Sequence, residues 1–202
     1  MRTPAVGESR DEVWDTESHR RRSVVTGLDS DNLTVRPDAG LLVGDNRVAR
    51  LPNGSVSGRD LVQGDQIGAI AFSVDGSRLA VGDGTGRVAL WDGDARHKAG
   101  VLRNVFPARL GDTPESVSAL ALSPDGRTLA VGGSSGTLQL WDVTTQQPLG
   151  DPLPTPGEEI VSVAFSEDSG TAYAAGTHVP FQRYVVGPER VAEQVCARAG
   201  SS

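Results

Sequence analysis

The chain has 202 residues and a formal net charge of −7, set by 26 Asp and Glu against 19 Lys and Arg. That length holds one domain or one and a half, and its acidity repels phosphate backbones and anionic lipid headgroups, arguing against nucleic-acid and membrane roles. A single cysteine, Cys196, excludes an intrachain disulfide or a thiolate zinc cage, and His19, His97 and His178 lie far apart, so no metal and no cofactor is expected.

At the amino end there is no apolar h-region, and no later run approaches the roughly 18 apolar residues of a membrane span, so the expected location is cytoplasmic. The run His19-Arg20-Arg21-Arg22 fits a solvated outer strand whose charges discourage edge pairing, with an acidic partner as the alternative. Asp29 and Asp31 have the spacing of a calcium loop but lack its glycine at the sixth place and glutamate at the twelfth, which leaves a solvated loop.

From residue 33 onward the sequence repeats. Residues 67–92, IGAIAFSVDGSRLAVGDGTGRVALWD, and 117–142, VSALALSPDGRTLAVGGSSGTLQLWD, match without a gap, and worn copies occupy residues 33–54 and 160–184. The turn residues Asp38, Asp75, Asp125 and Asp168 stand 37, 50 and 43 residues apart, bracketing the roughly 40–45 residue period of a four-stranded blade. Within one copy, Val117, Ala119, Leu120, Ala121 and Leu122 suit an inner strand buried on both faces. Pro124-Asp125-Gly126 then makes a turn. Leu129 and Val131 mark the second strand, Gly132 to Gly136 a second turn, and Leu138 and Leu140 the third strand. A meander this small cannot bury its own face, so the copies must stack on one another.

Gly132-Gly133-Ser134-Ser135-Gly136 satisfies the G-x-S-x-G pattern of a hydrolase nucleophile, which needs a strand before it and a helix after it. A strand follows instead, and the other good copy holds Gly82-Asp83-Gly84-Thr85-Gly86 in the same slot, so a hairpin turn is expected. No Gly-Lys-Ser/Thr follows either glycine cluster, and Lys98 is isolated, which argues against a phosphate loop. Cys196 beside Val191 and Val195 fits a packed small residue, and His178 has no partner visible in the sequence. Beyond Tyr184, the segment with Pro188 near its start and Gly200 as a stop is expected to form a short helix.

With Trp91-Asp92 and Trp141-Asp142 closing the third strand of each good copy, the chain resembles the WD-repeat β-propeller family. Tyr184 takes the tryptophan's place in the last copy, and Val13-Trp14-Asp15 resembles the end of a further, truncated blade. The resemblance implies an all-β propeller of about four blades, incomplete and open, with a short C-terminal helix. Its divisions are an N-terminal remnant over 1–27, a degenerate blade over 28–66, blades over 67–116 and 117–159, a last blade over 160–186, and a helix and tail over 187–202. Trp91, Asp92, Trp141, Asp142, Asp75 and Asp125 are then the structural residues of the repeat. The family's Gly-His before the first strand is absent from every copy. The alternative to an open arc is self-closure, in which residues 19–26 supply the outer strand of the last copy.

The ending is similar to that of actinobacterial multidomain proteins in which WD repeats follow a signalling NTPase, protease or kinase domain. The resemblance implies a non-catalytic protein-interaction scaffold or sensor, a piece of a larger signalling protein. Its partner would be another protein or another domain of a parent protein, with neither nucleic acid nor membrane, and self-association could run through exposed blade edges. By motif position the contact rim is Gln66, Asp83, Ser116, Ser134 and Glu159. A propeller hydrolase and a degenerate piece without independent function remain the alternatives, and no catalytic residue is assigned.

Overall fold

The computed structural model describes residues 10–28, 32–44, 46–58, 60–62, 66–107, 114–178 and 181–187. Every regular element among them is a β-strand. The outer hairpin is β1 (Arg10–Asp15) and β2 (Arg20–Thr26), followed by β3 (Leu33–Val35), β4 (Leu41–Gly44), β5 (Arg47–Arg50) and β6 (Ser55–Gly58). Next come β7 (Ile67–Phe72), β8 (Arg78–Asp83), β9 (Val88–Asp92) and β10 (Lys98–Leu102). The second good repeat gives β11 (Val117–Leu122), β12 (Thr128–Gly133), β13 (Leu138–Asp142) and β14 (Gln147–Pro148). The last three are β15 (Ile160–Phe165), β16 (Thr171–Gly176) and β17 (Gln182–Val185).

These strands form antiparallel meanders: β1–β2, β3 to β6, β7 to β10, β11 to β14, and the three-stranded β15–β16–β17. They stack as blades of an open propeller, and no sheet closes on itself. Because side chains alternate across a strand, each blade offers one face to each neighbour. Leu79, Val81 and Trp91 face the first full blade and bury with its Leu41, Val43 and Val48. Ala80, Val88 and Leu90 face the other way, against Val117, Leu129, Val131 and Trp141 of the following blade. Ala119 and Leu138 in turn cover Ile160, Ala174 and Tyr184 of the last one.

Backbone contacts set how closely the inner strands approach. A Cβ on Gly68 would stand 1.9 Å from the Val117 carbonyl oxygen, so only glycine fits there. Ser118, the matching residue one blade on, donates its Oγ to the Ile160 carbonyl at 2.8 Å.

The β1–β2 hairpin covers the first full blade, with Val25, Leu28, Leu42 and Ala49 buried and Val13 packed against them. β2 pairs with β1 along its length, from Arg10↔Thr26 to Asp15↔Arg20, and not with β17. The self-closure alternative is therefore overturned: once Val13-Trp14-Asp15 forms a strand four residues away, it captures β2 as a local hairpin partner. Arg21 and Arg22 of the basic run are held by Glu12 and Asp15 across that hairpin, as an outer strand requires. Asp29 and Asp31, and the expected helix and tail with Cys196, lie outside the described residues.

Candidate functional site

Each of the last three blades is held by two small polar devices. The first is the turn aspartate between its first two strands. Asp75 Oδ1 accepts from Ser73 Oγ at 2.6 Å, Ser77 N at 3.0 Å and Ser77 Oγ at 2.8 Å. Asp125 repeats the pattern with Ser123 Oγ at 2.6 Å and Arg127 N at 3.0 Å, and Asp168 with Ser166 Oγ and Gly170 N at 2.6 and 3.0 Å. The Ser73 hydroxyl, then the Ser77 amide and hydroxyl, hold the Asp75 carboxyl at about 2, because these donors favour its charged form.

The second is the aromatic residue of the third strand, which reaches the linker entering its own blade. Trp91 Nε1 donates to the Leu61 carbonyl at 3.1 Å, Trp141 Nε1 to Val105 at 3.3 Å, and Tyr184 Oη to Pro154 at 2.7 Å. Lys98 Nζ sits 4.8 Å from the centre of the Trp91 ring, a cation–π contact that gives this otherwise isolated lysine a place. The aspartate after each tryptophan caps the next turn: Asp92 takes the amides of Arg96 and His97, and Asp142 those of Thr144 and Thr145.

The rim lies at the other end of the stack from the turn aspartates, where the inner strands begin. Gly84 N donates to the Gln66 carbonyl at 3.1 Å and Ser134 N to the Ser116 carbonyl at 3.0 Å. In the last blade Gly176 lies against the Glu159 carbonyl. Four of the five residues expected at the contact rim thus gather in pairs or against a turn. Gln66, Ser134 and Glu159 are exposed and Ser116 half-buried.

Asp83 is different. It is 2% exposed, and its oxygens accept from Thr85 N and Oγ1 and from Arg87 N and Nε at 2.9 to 3.0 Å. Burial pushes its carboxyl up, but those bonds outweigh the effect and hold it below the usual range. Its side chain shapes the rim from inside, because the turn amides consume the acceptors a partner would need.

In the next blade the matching residue is Gly133, and Glu115 supplies the carboxylate from the preceding loop. Its Oε1 accepts from Ser135 N at 2.8 Å and Thr137 N at 3.1 Å, and its Oε2 from Thr137 Oγ1 at 2.6 Å. A Cβ on Gly133 would meet Glu115 Oε1 at 2.1 Å, so the glycine makes room for it. Glu158 does the same over Gly176, accepting from His178 N at 2.8 Å, with His178 Nδ1 3.5 Å from the same carboxylate. Neither glutamate stands out from the sequence alone, yet a pattern marks them: each precedes its glycine by 18 residues.

Beside Ser134 an open cleft of about 350 Å³ runs between this turn and the linker to the last blade, lined by Pro107, Ser135, Thr137, Pro152, Leu153 and Thr155 among others. The G-x-S-x-G segment is a hairpin turn leading from β12 directly into β13, with Gly136 at φ +88°. Among the described residues no group of three His, Cys, Asp or Glu side chains gathers as a metal site would require.

The family model described as "WD domain, G-beta repeat" matches residues 57–92 and 105–142. Two stretches of the chain are thus similar to WD repeats. Each match begins before the inner strand and ends on a Trp-Asp pair, and the first takes in the last two residues of β6 in the preceding blade. The structure extends the WD pattern beyond the matched stretches: Trp14-Asp15 occupies the same place, with Trp14 paired to Arg21 as Trp91 is to Lys98. Asp15 accepts from Ser18 N and Oγ at 2.7 Å each, capping its turn as Asp142 does with Thr145. No curated protein matches the chain.

Proposed function

We propose that this chain is a non-catalytic protein-interaction scaffold whose working surface is the rim carrying Gln66, Ser116, Ser134 and Glu159. WD repeats generally mediate protein–protein contacts. The observation that carries the reading is the carboxylate clamp: Asp83, Glu115 and Glu158 pin the rim turns from within, so exposed side chains stand on a preorganised backbone. The cleft beside Ser134, walled by Pro107, Pro152 and Leu153, suits an extended segment of a partner protein. With Glu159 exposed on the rim and the carboxylates of Glu115 and Glu158 just behind it, a basic or mixed-charge segment is favoured. In its fuller form the proposal makes the arc the recognition part of a larger signalling protein in the cytoplasm, as the resemblance to actinobacterial multidomain proteins implies.

A photo-crosslinking residue placed at Ser134 or Glu159 tests it in the organism that encodes the chain. The expected result is the same crosslinked protein from both positions and none from Arg96, an exposed residue in the turn between β9 and β10. Labelling that is equal at all three positions would refute it, as would hydrolase turnover lost in Ser134→Ala.

A further inference from the structure

The two ends of the stack are unlike in sequence but matched in position. At two internal junctions the tryptophan of one blade lies over the third strand of the blade before it, and Tyr184 takes that place against Leu138 at a third. Trp141 buries with Val88 and Leu90, and Trp91 with Val48 of β5. At the amino end, Trp14 occupies this tryptophan position on a face that no other described strand covers. It is 56% exposed, and its Nε1 donates to its own neighbour Glu12 at 3.1 Å.

At the other end, the register β16–β17 places Phe181 where Val88 and Leu138 stand, and Arg183 where Leu90 and Leu140 stand. Val88 and Leu138 are fully buried, whereas Phe181 is 74% exposed, tilted 58° against Tyr173 at 5.7 Å. Val161, which occupies the place of Gly68 and Ser118, is 51% exposed. One end thus presents a tryptophan without its platform, and the other a platform without its tryptophan.

We propose that a second copy of this chain docks head to tail, with its Trp14 on the Phe181–Arg183 face of the first. The contact continues the junction already repeated three times inside the molecule. The indole also offers the Arg183 guanidinium a π face, while Glu12 on the same exposed side of β1 keeps its Arg21 partner. A heterologous contact of this kind leaves a free end on every oligomer, so assembly continues until a ring closes. Only a two-stranded hairpin covers the platform, which makes the contact small and reversible.

Sedimentation velocity on the full chain across a wide micromolar range tests this. The expected result is a mass that climbs with concentration beyond two copies. Trp14→Ala and Phe181→Ala should each weaken association by roughly 30-fold, as truncating a central aromatic does. Both residues are exposed, so circular dichroism should show both variants folded. Mixed together, the two variants retain one intact junction between them and should form a complex that stops at two copies. A single-chain mass at every concentration would overturn the proposal, as would a Trp14→Ala protein that assembles like the parent, or a mixture no heavier than its components.

Discussion

Replacing Gly133 by Asp should destabilise the chain when Glu115 is present and be tolerated when it is absent. The carboxylate over this turn accepts from two amides and a hydroxyl, at 2.8, 3.1 and 2.6 Å. Hydrogen bonds to a charged acceptor contribute about 1.5–3 kcal/mol each when buried, but this turn is half open and water recovers most of that, leaving about 2 kcal/mol in total for Glu115→Ala. Gly133→Asp alone drives a Cβ to within 2.1 Å of Glu115 Oε1 and brings two carboxylates together, a cost of similar size. In the double variant the new aspartate takes the role Asp83 plays in the preceding blade, with its carboxylate within the turn it caps. No positive φ stands in its way at Gly133, and the close atoms all belong to the Glu115 side chain beyond Cβ. The double variant should therefore lie within about 0.5 kcal/mol of the parent, giving a coupling of about 4 kcal/mol where independent sites would add. Each single variant should lower the melting temperature by about 4–8 °C for a chain of this size, and the double variant should recover nearly all of it. Additive losses in thermal or urea unfolding would refute the idea that one carboxylate site is filled from two different sequence positions.

Trp141→Phe keeps most of the apolar contact but leaves the Val105 carbonyl without its donor, and should cost about 1–3 kcal/mol in urea unfolding; Trp14→Phe, at an exposed site, should cost almost nothing. Gly68→Ala forces a Cβ against backbone at 1.9 Å and should cost more than about 3 kcal/mol, whereas Gly58→Ala, with open space around it, should be close to neutral in the same assay. The Asp75 carboxyl titrates at about 2 in the folded chain against 3.8 ordinarily, so its contribution is complete above about pH 4–5 and is lost as pH falls through 2. Asp38, Asp125 and Asp142 shift the same way, so melting temperature should be level from pH 8 to 5 and drop between 4 and 2; a drop beginning near 7 would contradict this assignment.

The blade pattern was legible because it depends on local chemistry. Ser-x-Asp-Gly turns and the aspartates of the Trp-Asp pairs close their hydrogen bonds within a few residues, so spacing alone reveals them, and the register places Tyr184 opposite Ala172 just as Trp91 stands opposite Leu79. The clamp was not legible, since Glu115 and Glu158 act across a whole strand pair and their signature is split between a glycine and a distant acid. At Asp83 the rim position was legible, but pattern alone does not show that its oxygens turn inward to the nearby Thr85 and Arg87. The β1–β2 hairpin decided between arc and ring, a choice between two partners for one strand that pattern alone leaves open.

The bonds from Trp91, Trp141 and Tyr184 to the entering linkers have a consequence for how the stack comes apart. Each of these three blades is stitched to the linker arriving from its predecessor, so opening one junction loosens the next and the loss spreads outward like a run in knitted cloth. Unravelling then starts from the terminal blades, and backbone amides of β8 and β12 should hold their protons longer against deuterium than those of β16.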